Sequence, residues 1–166
     1  PKVIPFFGLP QLAAKLEIEY TDGTRETVTT DESWQVFHGG TQKDNLFDGE
    51  LYDASCALPG LDGAGEIPFP GEKQAIPGET LGTVIPQMAE PIKIHERIRP
   101  VSKTMIEEGV YLFDFGVNIA GFCEITVPAG MKKGDAITLI HSEEVAADGD
   151  LDMTTMRGAD SVDQYI

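Results

Sequence analysis

The sequence predicts an all-β protein, an antiparallel β-sandwich, and three observations carry that prediction. Short stretches alternate apolar with polar residues, turn signals recur every ten residues or so, and no segment longer than about ten residues has helical period. Eight or nine short strands spaced in this way suit packed sheets rather than a helical or α/β fold.

The elements follow in order. In "LEIEY", Leu16, Ile18 and Tyr20 alternate with glutamates, as in a strand with one face covered. Asp22-Gly23 in "TDGT" then predicts a two-residue hairpin turn, and "RETVTT" the returning strand. Residues 34–37 and 45–53 are two further strand candidates, with the polar "HGGTQKD" between them. From 58 to 91, twelve of 34 positions are Gly or Pro, so this stretch is read as loop or edge, with one short strand conceivable in "ETLGTVIPQ". Alternation returns in "IKIHERI", "GVYLFDF", "GFCEITV" and "DAITLIHSEEV", and "PAGMKKGD" reads as the turn between the last two. The Gly/Pro-rich stretch separates two unequal units, residues 1–90 and 91–166.

Charge narrows the function. Twelve Lys and Arg face 28 Asp and Glu, a net charge of −16 that repels nucleic-acid phosphates and anionic lipid surfaces alike. Neither nucleic acid nor membrane is therefore an expected partner. The chain has no apolar run of the 18 or more residues that cross a bilayer, and its acidity fits a soluble protein of the cytoplasm or the periplasm equally. It opens on Pro1 and closes on the strand-like "DQYI", which suggests a piece of a longer chain. Cys56 and Cys123 fall in no metal-binding spacing and read as two buried thiols rather than a disulfide.

Each candidate for chemistry has a plainer reading beside it. Carboxylate pairs such as Glu50 with Asp53, or Glu143 with Glu144, arise by chance among so many acids, so no catalytic residue is assigned. His141 and Glu143 share a strand face but lack a third ligand, and a capped histidine is the simpler reading. Asp148, Asp150 and Asp152 are spaced like the start of a calcium loop, yet Met153 and Ala159 stand where that loop needs glycine and glutamate. No cofactor and no metal is expected. Trp34, Tyr52 and Tyr111, with Phe47, are the aromatics that could stack on a sugar ring, against a simpler role in packing.

Four pieces in fixed order, "YTDGTRETVTTDESW", "LFDGELYDAS", "IPQMAEPIKIHERIRPVS" and "YLFDFGVNIAGFCEITVPAGMKKGDAITLIHSEEV", resemble the N-terminal β-domains of bacterial α-L-rhamnosidases, glycoside hydrolase family 78. The family's "DFGxNxxG" element and the strand ending near "HAE" are matched here by Asp114, Phe115, Gly116, Asn118, Gly121, His141 and Glu143. The chain departs from the family after "GELYDA", where Ser55-Cys56 and a proline-rich run replace the usual tryptophans and arginine. The resemblance implies the end of a jelly-roll-like domain over 1–90 and the start of a concanavalin-like sandwich over 91–166. It further implies a non-catalytic part of an inverting hydrolase of terminal α-L-rhamnosides, whose partner in the same parent chain is an (α/α)6-barrel. Rhamnose-containing carbohydrate is the expected ligand class, with an autonomous carbohydrate-binding module and a purely structural domain as the other readings. Asp114, Gly116, Asn118 and Gly121 are read as a structural joint between strands, because local backbone bonding already accounts for those residue types.

Overall fold

The structure is a computed structural model that describes residues 11–58, 60, 73–79 and 83–166. It is all-β, with mainly antiparallel sheets; the one helical element among the described residues is a 3₁₀ turn at Ala54–Cys56. The chain divides into two compact units: 1–42 with 56–84, and 43–55 with 85–166.

In the first unit, β1 (Lys15–Glu19) and β2 (Arg25–Thr29) form the expected hairpin, with Lys15 opposite Thr29 and Glu19 opposite Arg25. Its turn differs from the expectation. Tyr20 N–H bonds Thr24 O at 2.9 Å and Gly23 N–H bonds Tyr20 O at 3.0 Å, so the loop holds three residues, Thr21 to Gly23. Gly23 closes it at φ +84, the left-handed position that follows a type I turn in such loops. The Asp22 carboxylate accepts both the Thr24 N–H at 2.9 Å and its hydroxyl at 2.7 Å, which holds Asp22 below the usual aspartate range. A second ladder pairs β3 (Gln35–Val36) with β6 (Lys73–Gln74), which lies in the described part of the Gly/Pro-rich stretch.

A four-stranded sheet in the order β4-β5-β12-β9 is made of β4 (Thr41–Asn45), whose last three residues fall in the second unit, and of β5 (Gly49–Tyr52), β12 (Val162–Tyr165) and β9 (Ile137–Ile140), all in that unit. β12 runs antiparallel to β9 and parallel to β5, with Gln164 opposite both Thr138 and Leu51. Besides this sheet the unit has two antiparallel pairs. β7 (Ser102–Glu107) pairs with β8 (Val110–Asp114), and β10 (Glu144–Val145) with β11 (Leu151–Asp152).

Four expectations need correction. The supposed spacer "HGGTQKD" contributes β4, a wholly polar strand whose composition hides it. β7 escapes the alternation test because a bulge between Met105 and Glu107 sets Met105 and Ile106 side by side. Residues 92–98 and 121–127 alternate well but form no strand, since alternation describes side chains and a strand needs a neighbouring backbone. Arg97 and Glu124 nonetheless form an ion pair between these two segments. The strand conceivable in 79–87 lies partly outside the described residues, and 83–87 form none.

No hydrophobic residue among the described ones is buried. Ile92 is 99% exposed and Phe122 74% exposed, so the two strandless alternating segments carry apolar side chains that this chain does not cover.

Candidate functional site

The residues that sequence reasoning selects fall in three places. Trp34 lies in the first unit at the entry to β3, where its indole N–H donates to Thr29 O at 3.1 Å. That bond fixes the ring edge while the residue stays 38% exposed. Tyr52 ends β5 and stacks on Tyr165 of β12, its register partner, with ring centroids 5.8 Å apart and planes 11° from parallel. One face of Tyr52 is therefore already occupied by an aromatic ring. Tyr111 lies on β8, tilted at 47° to Phe113, with the Lys103 ammonium 4.0 Å from its ring centroid. Tyr52 and Tyr111 belong to different sheets, and Trp34 lies outside any strand.

The "DFGVNIAG" segment leaves β8 through a sharp bend. Asp114 Oδ1 accepts the Gly116 N–H at 2.6 Å, and Asp114 O accepts the Val101 N–H at 2.7 Å. Gly116 sits at φ +73, and a Cβ there would come within 3.3 Å of a Val101 methyl. Asp114 and Gly116 thus form the bend. Gly121 has ordinary φ and open space around it.

A polar arrangement on one face of the four-stranded sheet ties three distant stretches of sequence together. Asp163 on β12 accepts the Glu50 N–H of β5 at 2.9 Å through Oδ1, while its Oδ2 lies 2.9 Å from His141 Nε2 just beyond β9. The backbone interlocks at the same point: Val162 N–H bonds Asp48 O at 3.1 Å, Ser161 N–H bonds Phe47 O at 3.1 Å, and His141 N–H bonds Ser161 O at 3.0 Å. Gly49 makes this approach possible. It adopts φ +94, and a Cβ on it would lie 2.1 Å from Val162 O and 2.9 Å from Asp163 Oδ1. Sequence reading singles out "LFDGELYDAS" and "HSEE" separately, but nothing in the one-dimensional pattern links His141 to Asp163 or either to Gly49. Both cysteines are thiols, as expected, but exposed rather than buried. Although Cys123 as a residue is open to solvent, its thiol is pushed up by desolvation against the protein and then by the Asp163 carboxylate.

His141 is a capped histidine, bonded to Asp163, and Glu143 does not join it in a ligand set: among the described residues no three His, Cys, Asp or Glu groups come together as metal ligands would. Asp148 and Asp150 sit in the turn of the β10–β11 hairpin, where Asp148 Oδ1 accepts the Asp150 N–H at 3.2 Å. Asp152 Oδ1 accepts the Thr154 hydroxyl at 2.6 Å and its N–H at 2.9 Å, which lowers its pKa. These carboxylates are engaged in closing turns.

The described residues form an all-β segment of short ladders and one four-stranded sheet, with apolar side chains left exposed. Residues 4–96 match the alpha-L-rhamnosidase N-terminal domain and residues 104–166 the bacterial alpha-L-rhamnosidase concanavalin-like domain, so the chain belongs to the bacterial α-L-rhamnosidase family. An alpha-L-rhamnosidase of Streptomyces avermitilis is 29% identical over 161 residues, covering 94% of this chain and 15% of that protein. One of Alteromonas sp. is 29% identical over 159 residues, covering 95% and 17%. Among solved structures, the α-L-rhamnosidase from Dictyoglumus thermophilum superposes with a TM-score of 0.85 at 30% identity, over 93% of this chain and 17% of that one. The Streptomyces avermitilis enzyme complexed with L-rhamnose gives 0.72 at 25% identity, over 92% and 15%. The chain therefore spans about a sixth of the length of these relatives. No described helix is long and apolar enough to cross a membrane.

Proposed function

We propose that this chain is a non-catalytic β-sandwich segment that braces the catalytic (α/α)6-barrel of a parent α-L-rhamnosidase. The parent hydrolyses terminal α-L-rhamnosides with inversion, and the segment divides near residue 90 into the end of one sandwich and the start of the next. Asp114, Gly116, Asn118 and Gly121 serve as its structural joint, and Trp34, Tyr52 and Tyr111 are its aromatic candidates for carbohydrate contact. Exposed apolar segments without strand pairing carry the reading: side chains such as Ile92, Ile94, Phe122 and Ile125 alternate as strand faces do, yet are exposed. The relatives' lengths support the presence of further domains to cover them.

Hydrolysis of an aryl α-L-rhamnoside by the chain alone is the test. No turnover, with strong binding of an apolar dye to the exposed faces, is the expected result. Turnover would overturn the non-catalytic assignment.

A further inference from the structure

We propose that the outer edge of β9 receives a further β-strand from the rest of the parent chain, so that the segment is joined to its parent by main-chain pairing as well as by apolar cover. The proposal rests on the parent reading for the source of that strand and on the hydrogen-bond pattern of the four-stranded sheet for its place. Val162 N–H bonds Asp48 O at 3.1 Å and Ile166 N–H bonds Tyr52 O at 2.9 Å, so alternate residues of β12 face β5. Asp163 and Tyr165 therefore turn their backbone groups to β9, where their register partners are Leu139 and Ile137. The His141 N–H, which bonds Ser161 O at 3.0 Å, keeps the same alternation at the end of β9. Thr138 and Ile140 are left with N–H and C=O directed away from β12, and among the described residues β9 has no second neighbour.

Composition sets this edge apart from the opposite one. The other edge strand, β4, carries Lys43 and Asp44, charges that resist the addition of a strand. β9 reads Ile-Thr-Leu-Ile, three β-branched residues in four, with no charge, no proline and no bulge. Ile137 and Leu139 are partly buried on the sheet face they share with Asp163 and Tyr165, whereas Ile140 on the other face is 54% exposed. The strand that fits is thus an uncharged extended segment, apolar on the face beside Ile137 and Leu139. A second copy of the chain is a poor donor, because each copy carries a net charge of −16. The relatives hold most of their length outside the matched part, which supplies residues for such a strand within one parent chain.

The test is residue-resolved amide exchange in the full-length natural protein. Thr138 and Ile140 are expected to exchange at least about a hundredfold more slowly than unstructured amides, as Ile137 and Leu139 do, with no change on dilution. Fast exchange at Thr138 and Ile140 beside slow exchange at Leu139 overturns the proposal, and protection that fades on dilution overturns it in favour of a second copy. Thr138→Pro gives an independent reading, with Thr138→Val to remove only the Thr138 Oγ1 contact with Gln164. Proline is tolerated on a free edge, so the expected result is a lower melting temperature for Thr138→Pro than for Thr138→Val, with protection lost at Ile140. Equal melting of the two variants overturns the proposal. Aryl-rhamnoside hydrolysis by the natural protein separates the two readings: turnover with unprotected outward amides sinks the added strand alone, and protected outward amides without turnover sink the parent activity alone.

Discussion

The β1–β2 hairpin and the β5–β12–β9 sheet are built from opposite kinds of contact. In the hairpin everything is local: Glu19 meets Arg25, Tyr20 meets Glu26 and Asp22 meets Thr24, all within six residues and all exposed. In the sheet, Glu50 bonds Asp163, 113 residues away, and every residue of β12 is partly buried. The hairpin is a product of turn chemistry, whereas the sheet depends on close approach of distant backbone. Gly23 and Gly49 express the contrast, since both have positive φ but only Gly49 has backbone pressed against it.

Substitution of these two glycines should split the regions most sharply. Gly49→Ala drives a methyl into Val162 O and is expected to cost about 3 kcal/mol or more in denaturant unfolding of the full-length protein, with loss of β5–β12 pairing. Gly23→Ala meets open space, and its backbone strain alone should cost about 1 kcal/mol. Equal costs would erase the distinction. Next in size, Asp163→Ala leaves the Glu50 N–H and the His141 ring without their acceptor. With both side chains partly exposed, it should cost about 1 kcal/mol and speed amide exchange at Glu50.

Acid should act on the local turns, and its effect is the smallest. Asp22, Asp31 and Asp152 are lowered by bonds from Thr24, Ser33 and Thr154, the side-chain hydroxyl first and the backbone N–H next. A lowered folded-state pKa contributes stability that is present above the ordinary aspartate value of about 4 and is lost as pH falls through the folded value. Protection factors at Thr24, Ser33 and Thr154, exchange rates corrected for the intrinsic pH dependence of amide exchange, should therefore fall below about pH 4 and stay flat between pH 5 and 7. Loss of protection in the upper range would contradict the bonding.

The same contrast explains what was legible in the sequence. Hairpin β1–β2 and the "PAGMKKGD" turn could be read because alternation and turn residues lie side by side. β4 could not, because an all-polar strand carries no apolar signal, and β7 could not, because its bulge breaks the period. The parallel pairing of β5 with β12 needs knowledge of which distant segments meet. Asp163, the centre of the staple, is one acid among 28, with nothing local to distinguish it. The family motif marked Gly116 and its bend, but Gly49, the tighter glycine, has nothing beside it in "LFDGELYDAS" to announce the approach of β12.

The measurement that tests the bracing role most directly is hydrogen exchange across residues 92–98 and 121–127, compared between the isolated chain and the full-length parent. Both segments are expected to exchange quickly in isolation, having no strand partner, and to become strongly protected in the parent, where further domains cover their apolar faces. Rapid exchange of both segments in the parent would mean that these faces stay uncovered, and the bracing role would fall with them.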